Sequence, residues 1–291
     1  MTDSQSETVH HALPTRLIKL LISACFYAAT QGWVVLSRLA GQKSKGRCIT
    51  LYYHCIQPEH RLKFARQMDV LLRKAIPISV DRREPLESGK HYAAVTFDDG
   101  FTSVAEQAVP ELIKRRIPAT IFVASDLLGQ TPNWQGYPGR FMSLRELRLL
   151  PADLICLGSH TRTHPFLPKL NEEEARDEIA FSRAKLGQML DRECTLFAFP
   201  YGAFSEGLIN ICREVGYQRI FTTLPYLAEL GPDEFVSGRV TVEPTDWPIE
   251  FYLKLCGSYR WLPTAFAAKR KFKAVFAKDA LVDGPLRSHS G

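Results

Sequence analysis

No two of the seven cysteines (Cys25, Cys48, Cys55, Cys156, Cys194, Cys212, Cys256) are spaced C-x-x-C, and their number is odd. A disulfide framework and a zinc ribbon are thereby excluded, and the usage fits a reducing compartment. No segment is of low complexity, none repeats, and only 18 Gly and 18 Pro occur in 291 residues, which excludes wholesale disorder and collagen. Only one apolar run is long enough to cross a bilayer, so a multi-span membrane protein is excluded too. With 45% apolar and 23% charged residues the chain can bury its own core, as one large α/β domain or two smaller ones.

Positive charge is scarce in the middle of the chain. Residues 1–47 hold six Lys/Arg against two acids and residues 256–291 hold seven against two, so a total of +6 leaves −3 for residues 48–255. A nucleic-acid reader carries its positive stripe on the folded domain, and nucleic acid is therefore not an expected partner. Membrane headgroups suit the basic ends better, although such runs also form plain solvated faces.

The stretch Leu17–Leu36 contains Lys19 as its only charge and is long enough to span a bilayer. Ser23, Thr30, Gln31 and Gly32 make it equally readable as an interfacial helix, and a helix packed on the domain is the bland alternative. Asp3, Glu7 and the lack of a clean A-x-A site argue against a cleaved signal peptide. If the stretch spans, Arg38, Lys43, Lys45 and Arg47 outnumber Arg16 and Lys19, which places the remainder in the cytoplasm, with the periplasmic face as the alternative.

From residue 48 onward short apolar runs alternate with amphipathic stretches, the pattern of repeated βα units around a parallel sheet or barrel. The strand candidates are Cys48–His54, Ala93–Phe97, Ala119–Ala124, Leu154–Gly158, Leu196–Phe199, Arg219–Thr222 and Phe235–Val240. Helices are expected at Leu62–Lys74, Val104–Arg115, Ser143–Leu150, Asn171–Leu190, Ser205–Val215 and Pro248–Leu255, some opened by Ser, Asn or Pro at cap positions. In such a barrel the chemistry sits on loops that follow the strands.

Three polar constellations fall there. Asp98-Asp99-Gly100 follows the strand AVTF; adjacent carboxylates point different ways, so one can hold a cation while the other acts as a base, the bland reading being a D-G turn. Two aspartates of an aspartyl-phosphate enzyme would be separated by one residue, and here they adjoin. His160 and His164, four apart after the strand LICLG, can present their nitrogens to one metal, or stand as surface histidines in a loop. Phe197-Ala198-Phe199-Pro200-Tyr201-Gly202 ends another strand in a turn that can aim a backbone N–H at an oxyanion, or be an ordinary turn.

Taken in order, TFDDG at 96–100, HTRTH at 160–164 and FAFPYG at 197–202 resemble the polysaccharide deacetylase family, carbohydrate esterase family 4. The resemblance spans roughly residues 48–257. It implies a distorted (β/α)7 barrel, here preceded by an N-terminal apolar helix, and a divalent metal, usually zinc, that activates water to remove acetyl groups from an N-acetylated glycan. On that resemblance Asp98 is the general base, Asp99, His160 and His164 are the metal ligands, and the Tyr201 backbone N–H helps to stabilise the oxyanion.

Two positions depart from the family pattern. Many members protonate the leaving amine from a late histidine, but after His164 the chain has only His289, in a polar tail. His54, ending the first strand in LYYHC, is the candidate acid, and that Tyr-His strand end is similar to deacetylases acting on exported exopolysaccharides; its bland reading is a satisfied strand-end histidine. Where relatives carry an arginine five residues before Pro200, this chain has Thr195. Arg239, at the end of the last strand candidate, could hold Asp98 ionised instead, or be a surface arginine. Asp246-Trp247 is similar to a family pair but also reads as the start of the last helix, and is left out of the site.

The expected organisation is a membrane-associated helix and basic linker at 1–47, a deacetylase barrel at 48–257 and a basic tail at 258–291. The expected function is metal-dependent N-deacetylation of a polysaccharide or lipid-linked glycan. The alternatives are hydrolysis of another non-peptide C–N bond, in a formamide or cyclic amide, and an inactive glycan-binding module.

Overall fold

The computed structural model describes residues 13–42, 45–132, 139–231 and 233–265. Lys43 and residues 266–291 of the basic tail lie outside them. Nine strands form one parallel sheet: β1 (Arg47–Tyr53), β2 (Ile76–Pro77), β3 (His91–Phe97), β4 (Ala119–Val123), β5 (Ile155–Ser159), β6 (Leu196–Ala198), β7 (Arg219–Phe221), β8 (Val236–Ser237) and β9 (Val240–Thr241). Their order is β8-β7-β6-β5-β4-β3-β1-β9, with β2 added beside β3. β8 pairs with β7 and β9 with β1, so the short segment 236–241 joins the two edges of the rolled sheet. The single strand expected at Phe235–Val240 is thus two strands serving opposite neighbours, and β2 is an addition that its two residues made illegible.

Side-chain alternation along these strands separates two cores. Ile49, Leu51 and Tyr53 of β1, Val95 and Phe97 of β3 and Ile121 of β4 pack outward against helices. Cys48, Tyr92, Ala94, Phe122, Leu196, Ala198 and Phe221 face the interior. Each fully buried aliphatic or aromatic side chain contributes roughly 1.5–3 kcal/mol. The outer layer is built by α2 (Arg61–Lys74), α3 (Val109–Arg115), α4 (Leu144–Arg148), α5 (Glu172–Leu190), α6 (Glu206–Val215) and α7 (Pro248–Leu255). Ser143 with Glu146 and Asn171 with Glu174 form capping boxes that start α4 and α5, Ser205 caps α6, and Pro248 opens α7. The helix expected from Val104 starts as a wider π-type turn over Val104–Ala108 and becomes α3 at Val109.

The apolar helix, α1 (Leu13–Leu39), runs along the outside of this body. It is the one described helix long and apolar enough to cross a membrane. Arg16 pairs with Glu250 at 2.6 Å and stacks over Trp247, the Ser23 hydroxyl accepts from Trp261 Nε1 at 2.9 Å, and Tyr27 and Tyr252 share a hydrogen bond of 2.8 Å. Its inward face mixes Arg16, Lys19, Ser23, Thr30 and Ser37 with Leu20, Phe26, Tyr27 and Val34, while Leu17, Ile18, Leu21, Trp33, Leu36 and Leu39 point to the exterior.

Candidate active site

The interior alternation of the strands decides which side chains meet at the rim. Tyr92, Ala94 and Thr96 face inward, so the next residue in that phase, Asp98, does as well; Cys156 and Gly158 likewise lead to His160, and Cys48, Thr50 and Tyr52 to His54. The chain then bends sharply. Gly100 has φ +77, and a Cβ there would lie 2.6 Å from Val123 Cγ1, so this turn of the D-D-G segment requires glycine.

Four of the non-glycine residues with left-handed backbone cluster here: Asp99 (φ 69), Thr161 (φ 68), His164 (φ 60) and Tyr201 (φ 58). Such residues carry a conformational cost of order 1–3 kcal/mol each and are retained where the surroundings dictate the geometry. At the third motif Gly202 follows Tyr201 with φ +62, and a Cβ on it would collide with Thr223 Oγ1 at 1.9 Å.

Asp99, His160 and His164 are all buried, and one potential ligand atom from each lies within 4.8 Å of the others. Asp99 Oδ1 is 3.3 Å from His164 Nε2 and 3.6 Å from His160 Nε2, and it accepts no hydrogen bond among the described residues. His160 Nδ1–H donates to the Ala198 carbonyl at 2.7 Å, which fixes the tautomer and leaves Nε2 with its lone pair facing Asp99. Burial pushes the His160 imidazole down to about 4 and that of His164 to about 2, while burial and the charge of Asp98 push the Asp99 carboxyl well up. One carboxylate oxygen and two neutral imidazoles around an otherwise unused buried oxygen are a donor set suited to a divalent ion of the zinc type.

Asp98 has a different environment. Arg239, fully buried, donates from Nη1 and Nη2 to its two oxygens at 2.6 and 2.9 Å. Arg239 Nη1 also reaches Thr96 Oγ1 at 3.2 Å, and its guanidinium lies 4.7 Å from the centre of the Tyr52 ring and 5.3 Å from that of Phe122. Burial alone would raise the Asp98 carboxyl, but Arg239, His160 and His54 together hold it below its ordinary value. The guanidinium that Thr195 cannot supply therefore arrives from the segment joining the sheet edges. His54 joins the same charge cluster, and its ring is pushed down by burial while Asp98 pulls it up. Tyr201 is half exposed and sets its ring edge-on to His164, with centroids 4.7 Å apart.

Sequence reasoning missed Glu178 of α5. Its carboxylate accepts from the backbone N–H groups of Arg162 and Thr163, both at 2.9 Å, and from Thr163 Oγ1 at 2.7 Å, tying down the loop between the two histidines. Asp246 stands apart, accepting from Lys254 Nζ at 2.7 Å and from the Glu243 backbone N–H, as a brace for the start of α7.

Fold and site together define a parallel α/β barrel with a carboxylate and histidine centre at the strand-end rim. Residues 86–220 match the model of the polysaccharide deacetylase family. It is 27% identical over 150 residues to YxkH of Bacillus subtilis (strain 168), a protein whose name assigns it provisionally to the polysaccharide deacetylases, covering 52% of this chain and 51% of YxkH. The chain spans about half the length of the curated relatives it matches. Among solved structures, IcaB from Ammonifex degensii aligns with a TM-score of 0.61 and 26% identity over 73% of this chain and 98% of that one. The deacetylase PplD of Streptococcus pyogenes aligns with the same TM-score and 20% identity over 73% of this chain and 99% of its own.

Proposed function

We propose that the protein is a metal-dependent hydrolase that removes N-acetyl groups from a carbohydrate, with residues 48–257 as its catalytic barrel. The observation that carries this reading is the pairing of Asp98, held ionised by Arg239, with the adjacent buried cluster of Asp99, His160 and His164. When bound by that cluster, a divalent cation such as zinc supplies Lewis acidity to the amide carbonyl and acidifies water.

Asp98 serves as the general base, its carboxylate taking the proton of the attacking water. Arg239 is a positioning residue that keeps Asp98 ionised and fixes its plane through two hydrogen bonds. The backbone N–H of Tyr201 donates to the oxyanion, and the exposed Tyr201 ring borders the entrance where a sugar enters. His54 passes a proton to the leaving amine. Since burial keeps its ring neutral near pH 7, that proton is one released within the cluster during the attack. The substrate is an acetylated polysaccharide or lipid-linked glycan, and α1 brings the enzyme to a membrane surface; if it spans, the basic residues after it favour the cytoplasmic side, with the periplasmic face as the alternative.

The test is mass-spectrometric detection of acetate and free-amine products from a panel of N-acetylated glycans, with and without added zinc. Acetate release that depends on the metal is expected. Formate release from an N-formyl substrate alone would move the assignment to another C–N bond, and glycan binding without turnover would make the protein a binding module.

A further inference from the structure

Beside the end of α1 a cavity of about 370 Å³ is lined by Trp33, Arg38, Lys45, Arg47, Glu229 and Arg260, among others. Arg47 is the first residue of β1, so the cavity lies at the end of the barrel opposite to the metal cluster. Lys45 is matched by Glu229 at 3.1 Å. Arg38, Arg47 and Arg260 form no ion pair among the described residues, and Arg260 spends one N–H on the Gly257 carbonyl. Three arginines thus line one cavity whose single acid, Glu229, is already matched by Lys45, which leaves a net positive site, and the planar fork of a guanidinium matches phosphate oxygens.

What kind of phosphate the site takes follows from α1. The charge on this helix is turned inward: its inner face mixes Arg16, Lys19, Ser23, Thr30 and Ser37 with Leu20, Phe26, Tyr27 and Val34, and its exposed surface between Leu17 and Leu36 carries no charge. Trp33 is 69% exposed and Leu39 81%, next to the arginines. An apolar strip that ends in a tryptophan and a basic cavity complements the acyl region and headgroups of an anionic bilayer. The helix is also held to the barrel through its first half, by Arg16 to Glu250, Ser23 to Trp261 and Tyr27 to Tyr252, with the Arg260 guanidinium 5.5 Å from the centre of the Phe26 ring. A helix that crosses the bilayer is surrounded by lipid or other apolar helices, whereas one flank of α1 is occupied by a folded, polar surface.

We propose that α1 lies in the plane of an anionic membrane with its outer strip in one leaflet, and that Arg38, Arg47 and Arg260 together hold the phosphate of a phospholipid headgroup. The proposal rests on the reading of α1 as a membrane contact and adds its orientation and its lipid site.

The test is flotation of the full-length protein with phosphatidylcholine vesicles, with and without phosphatidylglycerol. Arg38→Gln, Arg47→Gln and Arg260→Gln should each weaken partitioning into the anionic vesicles about fivefold, with binding to neutral vesicles unchanged. Leu36→Asp should weaken binding to both, and thermal unfolding confirms that each variant is folded. Arginine variants that bind anionic vesicles like the wild type would overturn the phosphate site alone. Leu36→Asp binding like the wild type would overturn the membrane contact itself. Resistance of the membrane-bound protein to alkaline carbonate would show a spanning helix and sink the in-plane orientation. Inorganic phosphate that raises the melting temperature through the three arginines, while vesicles bind independently of them, would reassign the cavity to a free phosphate.

Discussion

Arg239 places both terminal nitrogens of its guanidinium on the two oxygens of Asp98, across 141 residues of sequence and with neither side chain exposed to solvent. The pair sets the charge state of the proposed base, while the neighbouring aspartate, pushed the opposite way by burial and by Asp98 itself, is left for a cation. On the proposed reading the two consecutive carboxylates have separable functions.

That separation is measurable. Asp98→Asn should retain metal, read by bound-metal analysis after dialysis, and lose about 10²–10⁴-fold in turnover. Asp99→Ala should lose metal and activity together. If Asp98→Asn strips the metal while Asp99→Ala keeps it, the assignment is reversed.

Removing the guanidinium leaves Asp98 buried without its counter-charge. Arg239→Gln should destabilise the fold by about 3–5 kcal/mol at neutral pH in urea unfolding. The wild-type carboxyl is held below its ordinary 3.8, so its stabilising contribution is present above that value and is lost as pH falls through the lower folded value. In the variant burial is unopposed by Arg239 and the carboxyl rises, so the acid limb of the pH–rate profile should move to higher pH. The stability deficit should narrow as pH falls. A deficit independent of pH would mean that Arg239 acts only as a packing residue.

His54→Ala should lower turnover with metal occupancy unchanged. The loss should shrink for substrates with leaving groups that need no proton, because demand for acid catalysis falls with leaving-group quality. Equal losses on good and poor leaving groups would assign His54 to the structure of the rim.

Glu178→Gln weakens the anchorage of the loop from His160 to His164 without touching either histidine. Metal affinity should fall about 10–100-fold, the range for groups that orient metal ligands, and α5 should keep its helicity by circular dichroism. Unchanged affinity would show that the left-handed backbone at Thr161 and His164 holds the loop unaided.

The cluster of Asp99, His160 and His164 was legible in sequence because both motifs that carry it begin at a strand end, and strand parity alone brings Asp98, His160 and His54 to one interior. Arg239 was legible only as one candidate cation, since its role depends on a bend between two strands of two residues each, shorter than any pattern can mark. Glu178 was hidden among Glu172, Glu173, Glu174 and Asp177, where nothing in the spacing shows which acid turns towards the loop. For α1 the apolar run was plain, but that its charged residues turn inward emerged only with the identity of the surface it covers.

The segment 236–241 has one further consequence. Its first half completes the hydrogen bonding of β7, its second half that of β1, and Arg239 lies between them. Closing the ring and supplying Asp98 with its counter-charge therefore rest on the same six residues. On the proposed reading, a change that frees this segment would cost the base its guanidinium, whereas Asp99, His160 and His164 come from other parts of the sheet.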